Sequence, residues 1–234
     1  MTRPLPHRLA TVAGPVLTQH LTDPPERMDL GGPVLSNWVH KSHGLLTDLG
    51  VGPVEDGGLS LGLVVGSELA GSSGTPADGS PAAEVPAGLH WRALALVLAA
   101  WTLDTRVHLV TDAATVPEDD WIAVVSDVAL RDPAVRDRTG AADEVLVYAL
   151  PGLALRTEVE DGYTDYLSTV RTYPDQAPLR PLGPVILVDA DGEHTLDGGG
   201  TGGSTGSAEM AGTVTGAWQA LLDALGTREV DLRV

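Results

Sequence analysis

Two periodicities alternate along the chain. The runs LSLGLVV (59–65), RVHLV (from Arg106), WIAVVS (from Trp121) and EVLVYAL (from Glu144) are apolar at consecutive rather than alternate positions. That is the pattern of short strands buried on both faces. Between the first two lies LHWRALALVLAAWTL (89–103), apolar on nearly every side, which predicts a helix enclosed in the core. Strands of this kind joined through helical patterns predict one α/β domain over 1–234, in three layers, with a mostly parallel sheet and helices on both faces.

The pattern also repeats. GPVLTQHLTDPPERMDL (14–30), NWVHKSHGLLTDLG (37–50) and the strand at 59 read as hairpin, amphipathic helix, strand. GPVILVDADGEHTLD (183–197), AWQALLDALG (217–226) and REVDLRV (228–234) read the same way. Leu35, Val39, Leu46 and Leu49 fall at helical spacing in the first helix, and Met210, Val214, Trp218, Leu221, Leu222 and Leu225 in the second. Gly50 and Gly226 stand where helix ends need a left-handed residue. Two stretches rich in Gly, Ser and Pro, 66–88 and 197–207, read as flexible insertions.

Composition narrows the chemistry. With 14 Lys plus Arg against 32 Asp plus Glu the formal charge is −18, a field that repels nucleic-acid backbones and anionic lipid. Neither partner is expected. No cysteine is present, so there is no thiolate nucleophile and no disulfide framework. No run approaches the roughly 20 apolar residues of a membrane span and no secretory leader is recognisable, so a cytoplasmic location is expected. The core has no Phe and must be packed from aliphatics with five Trp and four Tyr.

Candidate site residues are few. His40 and His43 in HKSH stand one helical turn apart, a spacing that can share a metal, but zinc needs a third ligand. The polar side of an amphipathic helix explains the pair as well. VDADGEH reads as a hairpin turn at Asp191 and Gly192, since the bidentate Glu of a calcium loop is missing. The carboxylates of PEDDW and EVEDGYTDY read as solvated surface. His90 and Trp91 open a helix that follows a strand, the place where doubly wound folds hold ligands; a packed Trp behind a capping His is the alternative. No metal is expected.

The segments LLTDLGVGPVEDGGLSLGLVV (45–65) and LHWRALALVLAAWTLDTRVHLV (89–110) resemble the N-terminal region of the adenylate-forming (AMP-binding) superfamily. NWV, the HW before the helix, and LPGLALRTEVEDGYTDYLSTVRTYPDQ (150–176) are similar to a small bacterial family with faint likeness to those enzymes. The resemblance implies the fold of their N-terminal subdomain, with ATP or AMP as the nucleotide in play. Its phosphate loop, of the form SGSTGxPK, matches GGSTGSAE (202–209), so Ser204, Thr205 and Gly206 would meet the phosphates.

The departures are informative. Glu209 stands where that loop has lysine, and a carboxylate beside a triphosphate is repulsive by about 1 kcal/mol at ~4 Å even in water. No candidate appears for the later YGxTE motif, the ribose-binding aspartate or the catalytic lysine. Leu103 and Asp104 replace the Ala-Gly that ends the family helix. The glycine run also imitates a G-x-S-x-G elbow at Ser204 and, in GGGTGG, a dinucleotide fingerprint. It lacks the downstream histidine of the first and the preceding strand of the second. The expectation is a protein without adenylating activity that binds a small ligand or a protein partner. The alternative is a nucleotide-binding subunit of a ligase completed by another chain.

Overall fold

The computed structural model describes residues 5–22, 25–65, 89–198, 214–225 and 230–233. After a short helix α1 (Leu5–Leu9) the chain forms a hairpin, β1 (Pro15–Thr22) and β2 (Pro25–Gly31), then α2 (Gly32–Asp48) and β3 (Ser60–Val64). Next come α3 (Trp91–Trp101), β4 (Val107–Val110), β5 (Trp121–Ser126), α4 (Pro133–Thr139), β6 (Glu144–Tyr148), β7 (Thr164–Asp165) and α5 (Tyr166–Val170). A second hairpin, β8 (Pro184–Asp189) and β9 (Gly192–Asp197), precedes α6 (Val214–Ala224) and β10 (Val230–Arg233).

Seven strands pair in the order β7-β6-β5-β3-β4-β8-β9. All neighbours are parallel except β8 with β9. The expected mostly parallel α/β sheet is therefore present, with helices on both faces. Strand alternation divides its side chains. Leu61, Leu63, Leu109, Ile122, Val124 and Leu146 join the large core shared with α2, α3 and α6, whereas Val64, Val110, Ala123, Val125 and Val147 join a small one with Val135 of α4. A second sheet, β10-β1-β2, packs onto α2 and the start of α3, where Gln19 Oε1 accepts from the Trp91 N–H at 2.8 Å.

Because α3 is covered on all sides, each of its residues is buried. Burying Leu94, Leu96, Val97 and Leu98 contributes about 1.5–3 kcal/mol apiece. The helix ends at a residue that glycine would normally supply: Asp104 has φ +57, the left-handed region that Asp tolerates better than most. Its carboxylate accepts from Arg180 Nη1 at 2.8 Å. The departure from Ala-Gly noted in the sequence thus keeps the turn by another residue. Gly50, with φ +86, closes α2 as expected.

The repeat exists in element order, hairpin then helix then strand, in both halves. Its two last strands are exchanged between sheets. β3 lies in the sheet of the second hairpin, while β10 pairs in parallel with β1, matching Leu17 with Val230 and Gln19 with Leu232. The insertion at 66–88 lies outside the described residues, as do 199–213, with Ser204, Thr205, Gly206, Glu209 and Met210, and Gly226. Of the insertion at 197–207, Asp197 ends β9 and the Gly198 N–H donates to the Gly183 carbonyl at 3.1 Å. Among the described residues no helix is long and apolar enough to cross a membrane.

Candidate functional site

Open α/β sheets hold ligands outside the carboxyl ends of their strands, near the point where the strand order reverses. Here the order reverses about β3, with β4 on one side and β5 on the other. The start of α3 stands over this edge and brings His90, Trp91 and Arg92 there.

His90 is the N-cap of α3, and its Nδ1 accepts from the Arg92 N–H at 3.2 Å. Nε2 therefore carries the proton and donates to the Leu150 carbonyl at 2.9 Å. The ring stacks on Tyr148, with centroids 5.3 Å apart. Burial, helped by the nearby Arg92 charge, pushes its pKa down to about 3. At neutral pH it is an uncharged imidazole with both nitrogens engaged. Trp91 packs edge-on to Trp38 at 5.0 Å, and Trp38 leans on Tyr166. The Tyr166 hydroxyl is bonded to Ser42 at 2.7 Å, and burial raises its pKa.

Arg92 is the residue that sequence reading passed over. Its guanidinium is buried and donates from Nη1 to the carbonyls of Ala149 (2.7 Å) and Pro151 (2.9 Å), and from Nη2 to those of Gly152 (2.9 Å) and Ala154 (3.3 Å). It also lies 4.7 Å from the Trp91 ring centre, in cation–π range. Burial lowers its pKa to about 10, opposed by the charges of Glu26 and Asp127, so it stays protonated. Glu26 fastens the same loop from the other side, accepting from the Gly152 N–H at 3.1 Å. A signal was present: Arg92 is the one charged residue in an otherwise apolar helix.

On the opposite face the same edge is open. α4 has seven residues, about 10 Å, beside strands that run for about 17–20 Å. It leaves uncovered a recess of about 210 Å³ at the ends of β5 and β6. Asp127, Arg131, Arg136, Glu158 and Glu160 stand around it, and Val147, Leu130, Val159 and Tyr163 supply its apolar part. The Asp127 Oδ1 atom is buried without a hydrogen-bond partner.

The remaining candidates lie in other surroundings. His40 and His43 lie on the buried side of α2, contrary to a solvent-facing placement. His40 Nδ1 accepts from the Ala177 N–H at 2.9 Å, and His43 Nδ1 pairs with the Thr102 hydroxyl at 2.8 Å. Their apolar neighbours on α2 define that side. Among the described residues no three potential ligands are grouped to hold a metal ion. VDADGEH does form the β8–β9 turn, at Ala190 and Asp191. Asp189 Oδ1 accepts there from the Asp191 N–H and meets His194 Nε2, both at 2.9 Å. Glu118, Asp119, Glu158 and Glu160 are exposed.

No protein-family model and no curated protein matches the chain. Solved structures do. An acyl-CoA synthetase from Brucella canis superposes with a TM-score of 0.59 at 10% identity, over 100% of this chain and 43% of that one. The acetoacetyl-CoA synthetase of Streptomyces lividans gives 0.59 at 15% identity, over 99% and 38%. The N-terminal domain of FACL13 from Mycobacterium tuberculosis gives 0.53 at 10% identity, over 100% and 57%. The chain spans about two fifths of the first two neighbours and under two thirds of the third. Its fold is that of the N-terminal region of the AMP-binding, adenylate-forming enzymes.

Proposed function

We propose that this chain is a binding protein built on the N-terminal fold of adenylate-forming enzymes and does not itself adenylate. The observation that carries this reading is the closed start of α3. Its one cation, Arg92, is bonded to four backbone carbonyls of the chain's own loop. His90 is neutral and doubly bonded. Neither group is left to offset a triphosphate, and Glu209 stands in the glycine run at the place of the loop lysine. The reading takes the protein as cytoplasmic and its partner as a small molecule or another protein, with nucleic acid and membrane disfavoured by the charge of −18.

ATP–pyrophosphate exchange by the purified chain, run with a panel of carboxylic acids, tests it. Background exchange is expected, and robust exchange would overturn the reading. A second reading takes its support from the fold, which is that of the N-terminal region of the neighbouring synthetases over 99–100% of this chain. It makes the chain a nucleotide-binding subunit completed by another polypeptide. ATP or AMP binding abolished by changes at Ser204, Thr205 or Gly206 would favour that reading; unchanged affinity would remove it.

A further inference from the structure

The recess beside α4 is open where the start of α3 is closed. Among the described residues, none of its five charged side chains makes an ion pair, although two guanidinium groups and three carboxylates share its rim. The Arg136 guanidinium reaches only a backbone carbonyl, that of Arg131, at 3.4 Å. Asp127 is fixed at the end of β5 by its N–H to the Tyr148 carbonyl at 2.9 Å. Among the described residues its carboxylate accepts no hydrogen bond; Oδ1 is closed to solvent, so a ligand in the recess meets the carboxylate at Oδ2.

The ligand that fits can be narrowed by exclusion. A polyanion meets three carboxylates. A simple cation meets two arginines. A wholly apolar molecule would cover charged groups without pairing them, which is costly. A molecule with both charges around an apolar body meets both signs: its ammonium donates to the Asp127 carboxylate, with Glu158 and Glu160 adding negative charge on the rim, its carboxylate accepts from the planar guanidinium donors, and the body lies on Val147, Leu130 and Val159. The volume, about 210 Å³, is below the roughly 300–1,000 Å³ of sites for drug-sized ligands, so the molecule is small.

We propose that this recess binds a small zwitterion with an aliphatic body, of free amino-acid chemistry, its ammonium on Asp127 and its carboxylate on Arg131 and Arg136. The site rests on the ligand-binding reading above and gives that reading its ligand class.

Calorimetric titration of the full chain with L-leucine, isoamylamine and isocaproate separates the three chemistries on one carbon skeleton. Leucine is expected to bind saturably, about tenfold or more tighter than the amine or the acid. Asp127→Asn, and Arg131→Gln combined with Arg136→Gln, are each expected to weaken leucine by about tenfold, or 1.4 kcal/mol. Thermal melts check that the variants fold, and the ligand series on the unaltered chain needs no variant. Equal binding of the three compounds, no saturable heat with leucine at millimolar concentration, or leucine binding indifferent to the folded variants would overturn the site. Pyrophosphate exchange is independent of this outcome, so an active ligase and a wrongly assigned recess give different results.

Discussion

Two arginine sites stand at one edge of one sheet and have opposite fates. On the α3 face Arg92 is 1% exposed and its donors are aimed at carbonyls beyond the end of β6. On the α4 face Arg131 and Arg136 stay in water around a recess. The difference comes from helix length. α3 runs for eleven residues and is roofed by α2 and the small sheet, so its start is desolvated: His90 and the Arg92 Nη atoms find partners within the chain, while Arg92 Nε, Trp91 Nε1 and Gln19 Nε2 find none. α4 is seven residues long and leaves the strand ends beside it open. The lesson is that the position favoured by the fold class for ligands is, on one face of this chain, filled by its own loop.

Replacing Arg92 breaks the comparison most severely. Arg92→Met leaves four loop carbonyls without their donor, that of Ala149 buried and the other three partly so, and urea denaturation is expected to show a loss of about 2–4 kcal/mol. Arg92→Lys keeps the charge but not the planar fork, and should recover only part of the loss. A full recovery would mean that charge, not geometry, holds the loop.

Gly62→Ala probes the packing of the α4 face. A Cβ at this position would lie 2.3 Å from Cε3 and Cζ3 of Trp121, whose ring covers β3 on the side that α4 leaves thin. A loss of about 1–3 kcal/mol with altered tryptophan fluorescence is expected. An unchanged urea midpoint would show that this face tolerates repacking.

His90 sharpens the closed side through pH. Its pKa is about 3 in the folded chain against roughly 6.5 when unfolded. Below about pH 6.5 the unfolded state binds a proton that the folded state refuses. The stability is therefore full above that pH and is lost as the pH falls toward 3, by at most about 1.4 kcal/mol per unit from this residue. His90→Asn preserves a capping acceptor and removes the titration. The stability gap between the two proteins, read from urea curves at pH 7, 6 and 5, should narrow on acidification. A constant gap would place the titration elsewhere.

The smallest effects are expected at exposed positions. Arg131→Gln on the open side should shift stability by no more than about 0.5 kcal/mol, as should Leu153→Ser on the loop that Arg92 fastens, where the side chain is 84% exposed. A larger shift in thermal melts for Arg131→Gln would show that the recess is structural.

The sequence by itself determined the strand runs, because a strand buried on both faces needs consecutive apolar residues wherever it is finally placed. It also determined the enclosed α3, whose apolar residues leave no side for water, and the hairpin–helix–strand order of both halves. The resemblance to adenylate-forming enzymes rested on these same stretches. The short α4 and α5 were not legible, since five to seven residues hold too little of a 3.6-residue period to stand out. Only the tertiary structure decided that β10 crosses to β1, that His40 and His43 face inward, and that Arg92 rather than a ligand fills the start of α3. Those outcomes depend on which surfaces meet across about 60 to 210 residues of chain. Local pattern records a side chain's neighbours along the backbone, whereas desolvation and hydrogen-bond partners are set by neighbours in space.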